Sequence, residues 1–129
     1  MKYLAKIIAG DLEGLRMISA CSSGAKVKVS DIKYLASNKV FLLSIERIKV
    51  ENENEDKKVN SILRFDFVEK SRSKNINQLN QEAVLELVGI DYLKNNDVYE
   101  INLIFNNNAH IALTTETIEA RLEDQSETK

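Results

Sequence analysis

Two blocks of this chain place apolar residues at every second position, and both break that rhythm at the same point. In the first, Val27 and Val29 alternate with Lys28, the phase slips at Asp31, and Ile32 and Tyr34 carry on. In the second, Leu85 and Leu87 alternate, the phase slips at Gly89, and Ile90 and Tyr92 carry on. Period two marks a strand with one buried face. A slip of that period is what a β-bulge produces: one extra residue bends the strand and sends its later side chains to the other face. Gly and Asp both tolerate unusual backbone angles. Each block then turns, at Asn38 or at residues 95–97, and resumes with Phe41, Leu43 and Ile45, or with Tyr99, Ile101, Leu103 and Phe105. A third run follows in each: Leu63, Phe65 and Phe67, then Ile111 and Leu113. The pattern demands a bent, mainly antiparallel sheet.

The blocks are also alike residue by residue. Laying 27–45 over 85–103 without a gap matches five of nineteen positions: Ile32/Ile90, Tyr34/Tyr92, Leu35/Leu93, Asn38/Asn96 and Val40/Val98. Ordinary compositions paired at random give roughly one. We therefore expect two β-β-β units, residues 26–72 and 83–117, related by a pseudo-twofold axis. They differ on the outward face, where Glu100 and Asn102 of the second unit correspond to Leu42 and Ser44 of the first. An apolar Leu42 predicts a cover over that face, and the helix before the first block is the expected cover.

That helix begins at Asp11, whose carboxylate suits the free N–H groups of a first turn. Leu12, Leu15, Ile18 and Cys21 form an apolar stripe at three-residue spacing, and Gly24 suits the left-handed residue after the helix end. The run Tyr3 to Ile8 reads as a strand. Residues 51–60 (ENENEDKKVN) read as an exposed loop, and residues 70–81 as a second polar connection. Ile118 and Leu122, four apart, predict a short closing helix that runs into a frayed tail at 123–129. Asn106, Asn107 and Asn108 suit a turn, because Asn accepts positive φ. The expected fold is α+β, with six to seven strands, an N-terminal helix and a short C-terminal one. Among named architectures, a pleckstrin-homology-like roll is nearest.

Composition narrows the class further. The 129 residues suit a single domain, 1–129, with 18 basic and 20 acidic side chains for a net charge of −2. The chain is too apolar for a disordered one. No stretch approaches the ~20 apolar residues of a membrane span, and MKYLAKIIAGDLEG lacks the core of a signal peptide. The charge balance argues against nucleic acid as the partner. A single cysteine fits a reducing compartment. With no proline, no strand edge is guarded by a missing N–H. A cytoplasmic location is expected.

Taken together, Asp11-Leu12 with Leu15 and Ile18-Ser19, then VSDIKYL, Glu46-Arg47 and IEARLED resemble the family called domain of unknown function 2948. The likeness spans nearly the whole chain. Two departures are Asn107 and Asn108, where members often carry Gly, and the lack of a further aromatic segment after Asp124. The resemblance implies a bacterial, mostly alphaproteobacterial origin. It implies no activity, so no functional residue carries over.

Candidate chemistry is sparse. His110, the single histidine, has no partner pattern and reads as a solvated turn residue. Cys21 lies on the helix stripe and reads as packing. Glu119 and Glu123 sit four apart on the expected last helix, where a solvated face is the default. Glu51, Glu53, Glu55 and Asp56 lack the glycine and closing Glu of a calcium loop. No His/Cys metal set and no glycine-rich phosphate loop exist, and no cofactor is expected. Lys70, Arg72 and Lys74 alternate in EKSRSKN, a basic cluster suited to phosphate or an acidic partner. Arg47 and Arg64 sit within strand patterns and could point outward or pair with an acid such as Asp66. Two functions compete. One is a non-catalytic module that engages a protein, another copy included as in a homodimer, through an open sheet edge or face. The other is a small enzyme or ligand binder whose site gathers Arg47, Arg64 or Tyr92 with a carboxylate.

Overall fold

The computed structural model describes residues 5–52 and 55–128, leaving out the side chains of 49–52, 55, 56 and 126–128. It is an α+β fold in which one helix, α1 (Leu12–Ser22), packs on ten antiparallel strands. The strands are β1 (Lys6–Ala9), β2 (Lys26–Lys28), β3 (Ile32–Leu35), β4 (Val40–Asn52), β5 (Glu55–Phe65), β6 (Val68–Lys74), β7 (Val84–Asn95), β8 (Val98–Phe105), β9 (His110–Thr115) and β10 (Ala120–Thr128). Nine of them follow the order β1-β10-β5-β4-β2-β7-β8-β9-β6, with β3 beside β4.

Alternation forms these strands by burying one face. Phe41, Leu43 and Ile45 of β4 meet Leu63 and Phe65 of β5, Leu122 of β10, and Ile101, Leu103 and Leu113 of β8 and β9 in one core. The second phase slip is a bulge: the β7–β8 register shifts between Leu87 and Gly89. There β7 leaves β2, its neighbour over residues 84–86, and joins β8. The first slip has a different cause. Residues Val29–Asp31 form a 3₁₀ turn that separates β2 from β3. The chain turns again through Ala36–Asn38, with Lys39 left-handed at φ 57°.

The helix reading holds at both ends; of the expected strand Tyr3 to Ile8, Tyr3 and Leu4 lie outside the described residues, and β1 runs Lys6–Ala9. Asp11 accepts from the Gly14 N–H at 2.7 Å, and Gly24 is left-handed at φ 86°. Asn107 and Asn108 both take positive φ in the β8–β9 turn. The helix cover goes elsewhere, however. α1 packs on β7, β1 and β10 and not on the face carrying Leu42. Ser19 Oγ accepts from the Ile90 N–H and Ser23 Oγ donates to Val88 O, so α1 docks on the bulge.

Four further expectations are corrected. Residues 70–74, the first part of the expected second polar connection, are strand, in β6. The strand count is ten, not six to seven. Of the expected loop 51–60, residues 51, 52 and 55–60 are strand, because β4 and β5 pair as far as Asn52 and Glu55; residues 53 and 54 lie outside the described residues. The expected closing helix and the tail as far as Thr128 give instead one strand, β10 (Ala120–Thr128), inserted between β1 and β5. The helix that suggested a pleckstrin-homology-like roll is therefore a strand here. The acids Glu51, Glu53, Glu55 and Asp56 lie outside the side chains described.

Candidate functional site

The sheet curls until its β6 end meets the start of β4. The Val68 N–H donates to Lys39 O at 2.8 Å, and the Tyr34 hydroxyl donates to Val68 O at 2.9 Å. Past that tie, among the described residues, β6 pairs only with β9 and β3 only with β4. A cleft of about 290 Å³ lies between them. Ile32, Phe41, Ile76 and Ile111 give it apolar walls, while Ser71, Ser73, Gln78 and Gln81 give it polar ones. The segment carrying Gln78 and Gln81 is held in place from β3's side, where Ser30 and Val29 N–H donate to Gln81 O and Ala83 O. At about 290 Å³ the cleft falls just short of the ~300–1,000 Å³ typical of small-molecule pockets, and it is open to solvent along a strand edge.

The basic triplet borders this cleft. β6 carries a register shift between Val68 and Lys70, after which Lys70, Arg72 and Lys74 stand opposite Thr114, Ala112 and His110 of β9. All three are exposed. Arg72 donates to Glu100 at 2.8 Å. Lys70 and Lys74 have no acidic partner among the described residues. Ser71 and Ser73, the alternate positions, line the cleft. The sequence identified the triplet but not its neighbour across the gap. Tyr34, which ties the two strands together, stood out in the sequence through its match to Tyr92 and its place in VSDIKYL, but neither signal pointed to this tie.

Arg47 and Arg64 do not join this site. They occupy opposite faces of the β4–β5 ribbon, as their positions relative to buried Ile45 and Leu63 require. Arg47 is inside. Its Nε donates to Asp124 Oδ1 at 3.0 Å and its Nη2 to Oδ2 at 2.8 Å. Ser61 Oγ donates to the same carboxylate at 2.6 Å, and the Ala5 N–H does so at 2.9 Å. Burial alone would push this carboxyl up. The Arg47 and Ser61 hydrogen bonds, the Ala5 N–H and the Arg47 charge together outweigh it and hold Asp124 below its ordinary value of 3.8. The arrangement clamps β4, β5 and β10 to Ala5, at the start of the described chain. Arg64, on the outer face, donates to Asp66 at 3.0 and 2.9 Å.

The remaining candidates are dispersed. Tyr92 and Cys21 are half-buried against the core. His110 opens β9 beside a shallow depression shared with Asp91 and Asn102. Glu119 and Glu123 lie along extended chain, where residues four apart stand ~13 Å from each other. Among the described residues no group of three His, Cys, Asp or Glu could hold a metal ion. No helix there is long and apolar enough to cross a membrane.

A family model described as "Protein of unknown function (DUF2948)" matches residues 5–129. No curated protein and no solved structure matches the chain.

Proposed function

The chain belongs to the DUF2948 family, whose description names no activity, and we propose from the geometry that it is a non-catalytic protein-binding module. It takes an extended segment of a partner protein, or of another copy, onto the open edge of β6. The observation that carries this reading is the one-sided pairing of β6 and β3 across a cleft. Unpaired N–H and C=O groups along such an edge are a template for an added strand, and pockets for alternate side chains supply selectivity. Arg47 and Arg64, each occupied by an aspartate, take no part; Lys70, Arg72 and Lys74 do. A cytoplasmic partner is part of this proposal.

The test is amide hydrogen exchange on the intact protein, with and without a blocked hexapeptide set of the form (Val-X)₃ in which X is Ser, Glu or Lys. At least one member should slow exchange at residues 70–74 while leaving β5 unchanged. Unaltered exchange along β6 with every member would overturn the reading.

A further inference from the structure

Resting on the strand-edge reading, we infer that the segment received by β6 is acidic at every second residue and apolar at the others. A strand added to β6 has its side chains set by those of β6, position by position. On the outer face its neighbours are Lys70, Arg72 and Lys74. Of these, Lys70 and Lys74 have no acidic partner among the described residues, and Arg72 shares Glu100 while staying well exposed at 69%. Across the cleft, β3 presents Lys33, exposed and likewise without an acidic partner among the described residues. Glu69 of β6 is engaged by Lys39 at 3.1 Å, and Glu82 by Lys28 at 3.6 Å. An incoming strand therefore has cations at alternate positions on one side and a further cation on the other. On the inner face its neighbours are Ser71 and Ser73, which open onto Ile32, Phe41 and Ile111. Short apolar side chains suit the Ile32, Phe41 and Ile111 walls of that space.

The same residues decide against a second copy joining by this edge. Pairing β6 with β6 would set Lys and Arg opposite Lys and Arg, a destabilising arrangement. Charged edges commonly act as guards against such pairing. Here the guard also selects: it repels another β6 and attracts an acidic strand.

The probes are blocked peptides Ac-Val-Glu-Val-Glu-Val-Glu-NH₂, its Ser and its Lys counterparts, titrated into the protein at low and high salt with amide shifts as the readout. The Glu peptide should bind about tenfold tighter than the Ser peptide, with the advantage falling as salt rises. K70E/K74E, whose exposed positions leave the core untouched, should reverse the order and prefer the Lys peptide. Equal binding of the Glu and Ser peptides, or an unchanged order in K70E/K74E, overturns the acidic partner while leaving the strand-edge reading intact. Binding by none of the three overturns both. Concentration-dependent broadening confined to β6 without peptide would assign the edge to a second copy and overturn the inference as well.

Discussion

Among the described residues one carboxylate, that of Asp124, is buried, and its ionisation is coupled to folding. Asp124 is 5% exposed and holds Arg47, itself 7% exposed. Removing one partner leaves the other charge buried and unpaired, so Asp124→Ala should destabilise by about 3–5 kcal/mol in urea unfolding. Arg47→Met combined with Asp124→Leu should lose far less, because neither charge remains. The pH dependence has a definite sign. The folded carboxyl lies below its ordinary value, so unfolding binds a proton in that interval. The pair's contribution is fully present above about pH 4 and is lost as pH falls through the folded value. The double variant should show a shallower fall in stability there; an equal fall would place the acid sensitivity elsewhere. Phe67 makes an opposite prediction. It is half exposed yet left-handed at φ 58°, a conformation that disfavours bulky side chains. Phe67→Gly should raise the unfolding free energy by about 1 kcal/mol. No gain would mean that the turn holds the ring at no local expense.

Helix α1 stands so close to β1 that a methyl group would not fit between them. A Cβ on Gly14 would lie 2.8 Å from the Ala9 Cβ and 2.9 Å from its Cα. Gly14→Ala should therefore lower stability by about 1–3 kcal/mol despite alanine's better helix propensity, and thermal unfolding measures it. A rise would show that the helix shifts freely. The same elements show what the sequence could express. Strands with one buried face were legible, as in Phe41 to Ile45 and Tyr99 to Phe105, because burial imposes a period. Arg47 keeps step with Phe41, Leu43 and Ile45, so its inward direction was readable, while its partner was not. Ile118 and Leu122 show why. A spacing of four fits both a helical face and one side of a strand; Ala120, buried between them, breaks the tie only once its burial is known. With β10 read as a helix, Asp124 was hidden in a tail. Polar residues on both faces concealed the far reach of β4 and β5. The bulge at Gly89 and the 3₁₀ turn at Asp31 give the same slip of phase, so pattern alone made them equivalent. Of the binding cleft, the triplet on β6 was visible and β3 across from it was not, because pairing between distant segments leaves no local mark.

At the scale of the molecule, β10 is the piece that ties β1 to the rest of the sheet. It lies between β1 and β5, pairing Leu122 with Ile7 on one side and with Leu63 on the other. α1 leans on β1 and β10 as well as on β7, so β10 also carries the helix. Its two contributions to the core, Ala120 and Leu122, are almost fully buried, and Asp124 supplies the clamp beyond them. Ending the chain after Glu119 would remove all of these at once and strand β1 with no neighbour to pair with. It would also expose the inner edge of β5 and the part of α1 that faces β10. Such a truncation should lose cooperative unfolding altogether, with collapsed amide dispersion and no sharp thermal transition. Ending after Gln125 instead removes only the pairing of Ser126, Glu127 and Thr128 with β5 and keeps Ala120, Leu122 and Asp124. That chain should still unfold cooperatively and keep protected amides in β1. A folded, cooperative protein after the longer truncation would mean that the β3–β9 portion stands alone and that β10 is an accessory strand.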